Sequence, residues 1–249
     1  MNFYGLQKLS LLDYPGKMCA TAFTRGCNFR CPFCHNASLV VGNSDMWNGI
    51  ITEQDVISLL EKRQGILEGI CITGGEPTLY GDELFGFMRR VKKLDILIKL
   101  DTNGSHPEFI KAAVEEGIVD YIAMDIKSSK EGYGLAAGIY GSATDAVCES
   151  AEFLMSGAVD FEFRTTVVKP LHQKSDFESI GKWLQGDEKY FIQSYKDSGD
   201  ILISSDKNTK NNVRTETGED SLSDYSTDEL NEFLQTVRKY IPNAELRGV

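Results

Sequence analysis

Apolar residues along this chain fall into two alternating patterns, and the alternation predicts an architecture. Short runs rich in β-branched and aromatic residues occupy 18–24 (MCATAFT), 69–73 (GICIT), 95–101 (DILIKLD), 119–126 (VDYIAMDI), 160–168 (DFEFRTTVV) and 189–195 (KYFIQSY). Near-continuous apolar runs of this length are expected of strands buried on both faces. Between them, apolar positions recur every three or four residues, the spacing of helices with one buried face. In the first such segment Thr52 and Asp55 resemble a capping box ahead of Val56, Ile57, Leu59 and Leu60, and Gly65 marks the stop. Pro107 stands where a first helical turn begins, and Gly117 ends that helix. Further helices are predicted over 82–93, 143–156, 175–185 and 226–240, the last opened by Ser226 with Glu229 three residues on. Six consecutive strand-then-helix units predict an α/β fold. Its parallel sheet should carry helices on the outside, as an open sheet or a partial barrel.

The chain of 249 residues is expected to form a single domain, 1–249, with no internal repeat. One stretch departs from the pattern: 197–225 is polar, rich in Ser, Asn, Asp and Gly, and reads as a loop. With 26 Lys and Arg against 37 Asp and Glu, the net charge of −11 repels polyanions, so nucleic acid is not an expected partner. No stretch approaches the ~18 uninterrupted apolar residues of a membrane span. The opening Met1-Asn2-Phe3-Tyr4-Gly5 lacks the basic and apolar blocks of a signal peptide. A cytoplasmic location without membrane attachment is the expectation. In that compartment six cysteines point to metal or redox chemistry rather than to disulfides.

Three of the six, Cys27, Cys31 and Cys34, fall within eight residues directly after the first strand, with the spacing C-x3-C-x2-C. A thioredoxin-like dithiol at Cys31 and Cys34 would leave Cys27 idle. A c-type haem attachment at Cys31, Cys34 and His35 would require export. Zinc held by the three thiolates and His35 is chemically sound, although one short loop seldom supplies all four tetrahedral ligands. Three thiolates on a tight loop also suit an iron-sulfur cubane in which the fourth iron stays open to a small molecule. If the six strands are parallel, the cysteine loop, Gly74 to Glu76, Asp101 to Gly104 and Asp125 to Lys127 all lie at carboxyl strand ends. That is the end at which (β/α) barrels and open α/β sheets place their sites.

C-x3-C-x2-C with an aromatic before the last cysteine is the signature of the radical S-adenosylmethionine (SAM) superfamily, which this chain resembles. Thr73-Gly74-Gly75-Glu76-Pro77, Leu100-Asp101-Thr102-Asn103-Gly104, Met124-Asp125-Ile126-Lys127 and Phe163-Arg164-Thr165-Thr166-Val167-Val168 follow in order. With Asp13-Tyr14-Pro15-Gly16 and Cys34-His35-Asn36 they resemble the glycyl-radical-enzyme activases, above all the anaerobic ribonucleoside-triphosphate reductase activating proteins. The resemblance runs from about Leu9 to Tyr195 and implies a partial (β/α)6 barrel of the radical SAM type.

It also implies a site. Cys27, Cys31 and Cys34 would ligate a 4Fe-4S cluster whose open iron is chelated by the amine and carboxylate of SAM, and reduction would cleave SAM to methionine and a 5′-deoxyadenosyl radical. Gly74 and Gly75, followed by Glu76, would let bare backbone approach the methionine amine. Lys127 would meet the carboxylate, and it joins the three cysteines as the expected catalytic set. Asp101, Thr102 and Asp125, with Asn103 on the same loop, match residues that in pyruvate formate-lyase activases hold a monovalent cation beside SAM. Without a cation or Lys127 between them, the two carboxylates would repel. Phe33 and His35 would flank the adenine. Arg164, costly to bury without an anionic partner, should face the pocket. His172 stands near a histidine that these activases bring close to SAM, though 169–173 departs from their pattern. Cys19, Cys71 and Cys148 are expected to be small hydrophobes, leaving a single cluster.

The implied partner is a glycyl-radical enzyme, the class III anaerobic ribonucleotide reductase, with reduced flavodoxin or ferredoxin as electron donor. The stretch 197–225 would rim the mouth and take part in docking, or be a plain surface loop. Two alternatives stay open: a radical SAM enzyme acting on a small molecule, and a non-catalytic zinc or iron-sulfur module.

Overall fold

The structure is a computed structural model that describes residues 1–42, 49–139, 143–186, 189–197, 199–202 and 222–248. Most of the polar stretch at 197–225 lies outside the described residues. The chain opens with β1 (Asn2–Phe3), β2 (Gly5–Ser10), β3 (Cys19–Thr24), α1 (Ala37–Val41), β4 (Ile51–Thr52) and α2 (Glu53–Lys62). Strand and helix then alternate: β5 (Gly69–Gly74), α3 (Asp82–Lys92), β6 (Leu97–Thr102), α4 (Pro107–Glu115) and β7 (Tyr121–Asp125). After two helices, α5 (Tyr133–Ala137) and α6 (Ala143–Met155), come β8 (Asp160–Val167), α7 (Lys174–Trp183), β9 (Tyr190–Ser194), α8 (Thr227–Val237) and β10 (Glu245–Arg247).

Eight strands form one sheet in the order β10-β9-β8-β7-β6-β5-β3-β2. The six expected strands, β3 and β5 to β9, run parallel, each beside the next in sequence. That order never reverses, which is the winding of a (β/α) barrel, whereas a doubly wound sheet has a switch point. Two additions flank it: β2 pairs antiparallel with β3, and β10 pairs parallel with β9. β2 and β10 stand at opposite edges, so the barrel is partial.

The helices are where the periodicity places them, and their caps are formed. Thr52 Oγ1 accepts from the Asp55 backbone N–H while the Asp55 carboxylate accepts from that of Thr52. Ser226 and Glu229 repeat the device at α8. The apolar faces of α2 (Val56, Ile57, Leu60), α3 (Leu84, Phe87, Met88, Val91) and α7 (Phe177, Ile180) are buried in one core with Ile70, Ile72, Ile98, Leu100 and Ile122 of the sheet. Cys19 and Cys71 are fully buried in a small cluster with Tyr14 and Tyr121, and Cys148 is half-buried on α6. Among the described residues no helix is long and apolar enough to cross a membrane.

Candidate active site

The cysteine loop leaves the end of β3 and is gripped from three sides. From the loop that follows β5, Gly75 N donates to Thr24 O at 3.0 Å and Glu76 N to Gly26 O at 2.8 Å. From α5, Ala137 O accepts from Arg30 N at 2.9 Å. From 199–202, Leu202 N donates to Cys34 O at 3.1 Å, and the Asp200 carboxylate accepts from the Ser38 backbone N–H at 3.1 Å and from its hydroxyl at 2.7 Å. Glycine is demanded by these approaches. A Cβ on Gly75 would lie 1.9 Å from Gly26 O, and one on Gly74, at φ +120°, 2.3 Å from Thr24 O. Gly138, at φ +61°, would place one 2.2 Å from Arg30 O. The expected freedom for a ligand at Gly74 and Gly75 thus has a second cause in backbone packing.

A cavity of about 280 Å³ opens at the carboxyl ends of the strands, near the lower end of the ~300–1,000 Å³ usual for ligand sites. Cys27, Cys31, Cys34, Phe33, His35, Gly74, Gly75, Asp101, Thr102, Asn103, Asp125, Lys127 and Arg164 all line it. Two expected residues do not, and their partners explain why. Glu76 is fully buried behind the lining, where its carboxylate accepts from Thr78 N (3.1 Å), the Thr78 hydroxyl, Thr102 Oγ1 (2.8 Å) and Asn103 N (2.6 Å). Burial pushes its carboxyl upward, and these donors oppose that shift. Glu76 therefore ties the Gly-Gly-Glu loop to the Asp101 to Gly104 loop. His172 is also fully buried: its Nε2 donates to Lys127 O at 2.7 Å, its Nδ1 accepts from Val168 N at 3.2 Å, and its ring meets Phe33 edge-on at 5.9 Å. It positions Lys127 and Phe33 from behind. Phe29, Asn36, Val40, Thr73, Thr166 and Gln193 complete the lining. Thr166 is legible as the inward neighbour of Arg164 at period two, and sheet register sets Gln193 beside it.

The three cysteines are free. Burial pushes Cys27 up to about 11 and Cys31 up to about 12, and raises Cys34 as well; Lys127 opposes the rise at all three. Ligation would therefore release protons. Three free thiols lining one cavity are the donor set that would hold an iron-sulfur cluster. Burial lowers His35, and the charge of Lys127 lowers it further, so its imidazole is neutral.

The cavity floor is ionic. Asp125 and Arg164 are register partners on β7 and β8. Arg164 donates from Nε to Asp125 Oδ1 at 3.0 Å and from Nη1 to Asp101 Oδ2 at 3.2 Å. Lys127 Nζ donates to Asp125 Oδ2 at 2.9 Å, and Lys99, buried in mid-strand, pairs with Asp101 Oδ1. Burial alone would raise both carboxyls, but Arg164 with Lys127, and Arg164 with Lys99, hold Asp125 and Asp101 below the usual range. Burial alone would likewise lower Lys127 and Arg164, and the carboxylates instead keep both above theirs. Three cations against two carboxylates leave one positive charge in excess, suited to an anionic ligand group. The space between Asp101 and Asp125 implied for a monovalent cation is thus taken by the Arg164 guanidinium. The Thr102 hydroxyl turns to Glu76.

Known proteins agree with this picture. A Methanocaldococcus jannaschii protein described as a glycyl-radical enzyme activating enzyme is 29% identical over 98% of this chain and 95% of its own length. A pyruvate formate-lyase-activating enzyme of Listeria monocytogenes is 31% identical over 50% of this chain and 52% of its own. The crystal structure of Streptococcus suis SuiB superposes with a TM-score of 0.65 at 13% identity, covering 92% of this chain and 48% of that longer one. The Radical SAM superfamily model matches residues 21–180. That span runs from within β3, which leads into the cysteine loop, as far as α7 and takes in more than half of the chain, which therefore belongs to the radical SAM superfamily, enzymes that bind a 4Fe-4S cluster and S-adenosylmethionine in a partial barrel.

Proposed function

We propose that this chain is an activase that generates a glycyl radical on a large anaerobic enzyme, the class III ribonucleoside-triphosphate reductase, using electrons from a reduced flavodoxin or ferredoxin. One observation carries the reading: the relative described as a glycyl-radical enzyme activating enzyme matches nearly end to end.

Cys27, Cys31 and Cys34 would hold the cluster, which when bound and reduced supplies the electron that cleaves SAM. The residues around it do the positioning. Gly74 O already accepts from Asn36 Nδ2 at 3.2 Å, so the strand end that would meet the amine of SAM is braced against the cysteine loop. Lys127 and the excess positive charge of the floor would take the carboxylate. Phe33 and neutral His35 supply the flat, partly apolar wall for the adenine. Asn103 Nδ2 donates to Asn28 Oδ1 at 2.9 Å and Asn28 Nδ2 to Ser105 Oγ at 2.8 Å, which fixes the opposite wall.

The test is anaerobic incubation of the reconstituted, reduced protein with SAM and a class III reductase. A glycyl-radical doublet on the reductase, seen by electron paramagnetic resonance and absent with Cys31→Ala, is expected. SAM cleavage with no radical on any anaerobic reductase would instead select a small-molecule substrate.

A further inference from the structure

We propose that Arg164 is a built-in replacement for the monovalent cation, so that this chain binds SAM without potassium or sodium. The inference rests on the superfamily's cofactors and is independent of which partner is activated.

Two carboxylates on adjacent strands facing one cavity repel unless positive charge lies between them. Here each of their four oxygens has a cationic partner. Asp101 Oδ1 faces Lys99 and Oδ2 faces Arg164; Asp125 Oδ1 faces Arg164 and Oδ2 faces Lys127. The Arg164 bridge uses Nε and Nη1, two points of one rigid planar fork, so both carboxylates are held at a fixed separation. Backbone geometry sets the bridge in place, because Arg164 is the β8 register partner of Asp125. Its side chain is only 14% exposed. To bind between the aspartates, an ion would have to displace the guanidinium, leaving that permanently charged group buried without its partners. The third expected ligand is also engaged elsewhere: the Thr102 hydroxyl donates to Glu76 Oε1 at 2.8 Å and accepts from Gly104 N at 3.1 Å. Lysine could not reproduce the bridge, since a single ammonium lacks the two-point fork.

The experiment uses the anaerobically reconstituted holoenzyme in buffer whose only cation is tetramethylammonium. SAM affinity is read from the spectral change of the reduced cluster, with and without added potassium or sodium chloride at matched ionic strength. Wild-type affinity should change less than about twofold. Arg164→Ala should bind SAM at least about tenfold more weakly in tetramethylammonium and recover part of that loss in potassium or sodium, as the vacated space accepts an ion. Arg164→Lys should fall between and respond little to added salt. A wild-type affinity that rises about fivefold or more with potassium or sodium would overturn the proposal, and this arm needs no variant to fold. So would Arg164→Ala that binds SAM like the wild type in tetramethylammonium alone.

Discussion

The ammonium of Lys127 lies 2.9 Å from Asp125 Oδ2, and its backbone carbonyl accepts from buried His172, so the residue is fixed at both ends before any ligand arrives. Preorganisation of that kind puts the cost of ordering the side chain into folding rather than into binding. A charge-assisted contact to a carboxylate contributes ~1.5 to 3 kcal/mol. Lys127→Ala should therefore weaken SAM binding by a factor on the order of 10 to 100, while iron content and cluster absorbance stay at the wild-type level. Unchanged affinity in a titration followed by paramagnetic resonance would reduce Lys127 to a partner of Asp125 alone. At this scale the sequence was informative wherever chemistry and spacing agreed, as at the cysteines and the strand-end glycines and aspartates. It was less so for roles set by direction. Nothing in Gly-Gly-Glu tells that Glu76 turns inward to brace Thr102 and Asn103, or that Thr102 turns with it. The fixing of Arg164 between two aspartates depends on cross-strand register, which a single strand does not display. Lys99 could have been found: a lysine amid the apolar positions of 95–101, two before Asp101, must share its face and needs an anion.

Elements long enough to show a period were legible, and short ones were not. The core strands and six helices follow from apolar runs and caps, with ends off by one to three residues. β2, whose middle residues are exposed Gln7 and Lys8, has no buried face to advertise it. α1 and α5 are five residues each, too short for any periodicity, and tertiary contacts sustain them. In α1 the Asn36 side chain makes no cap, and the cap comes instead from Asp200, which lies 162 residues away. Losing a cap costs about 0.5–2 kcal/mol. Asp200→Ala should loosen the Cys34 end of the loop and speed iron loss to a chelator several-fold, with the circular dichroism unchanged; an unaltered rate would show that the loop needs no support from that side. A second device has a pH signature. Bonds from Lys169 and Ser226 pull the Glu229 carboxyl down to about 2, well below its ordinary 4.5. A depressed folded value means the stabilisation is complete above about pH 4.5 and fades as pH falls toward 2. Urea unfolding of the wild type and Glu229→Gln at several pH values should show a constant difference above pH 5 that narrows under acid.

At the scale of the whole molecule, alternating strands and helices alone left an open sheet and a partial barrel equally compatible with the sequence. The common location of the motifs at carboxyl strand ends did not separate them either, and the sequential strand order does. That order leaves the sheet unclosed between β2 and β10, with the site at one rim. The polar stretch after β9 is fastened there on both sides: Leu202 N donates to Cys34 O, Ser223 and Lys169 exchange backbone bonds, and Tyr225 donates to His172 O. Its two described ends are thus fastened beside the cysteine loop and the segment after β8, while its middle lies outside the described residues. For the proposed activase this geometry sets a delivery problem. A cavity of about 280 Å³ has no room for a folded partner, so the target glycine must enter on an extended segment that leaves its own protein. Ordering such a segment costs free energy that only contacts outside the cavity can offset. A short peptide carrying the partner's glycine region lacks those contacts. It should react at least tenfold more slowly than the intact reductase at equal concentration, which corresponds to an activation barrier at least about 1.4 kcal/mol higher for the peptide. The measurement is transfer of deuterium from α-deuterated glycine into 5′-deoxyadenosine, which counts abstraction events whether or not the radical survives. Equal rates would place all recognition inside the cavity and leave the rim no part in choosing the partner.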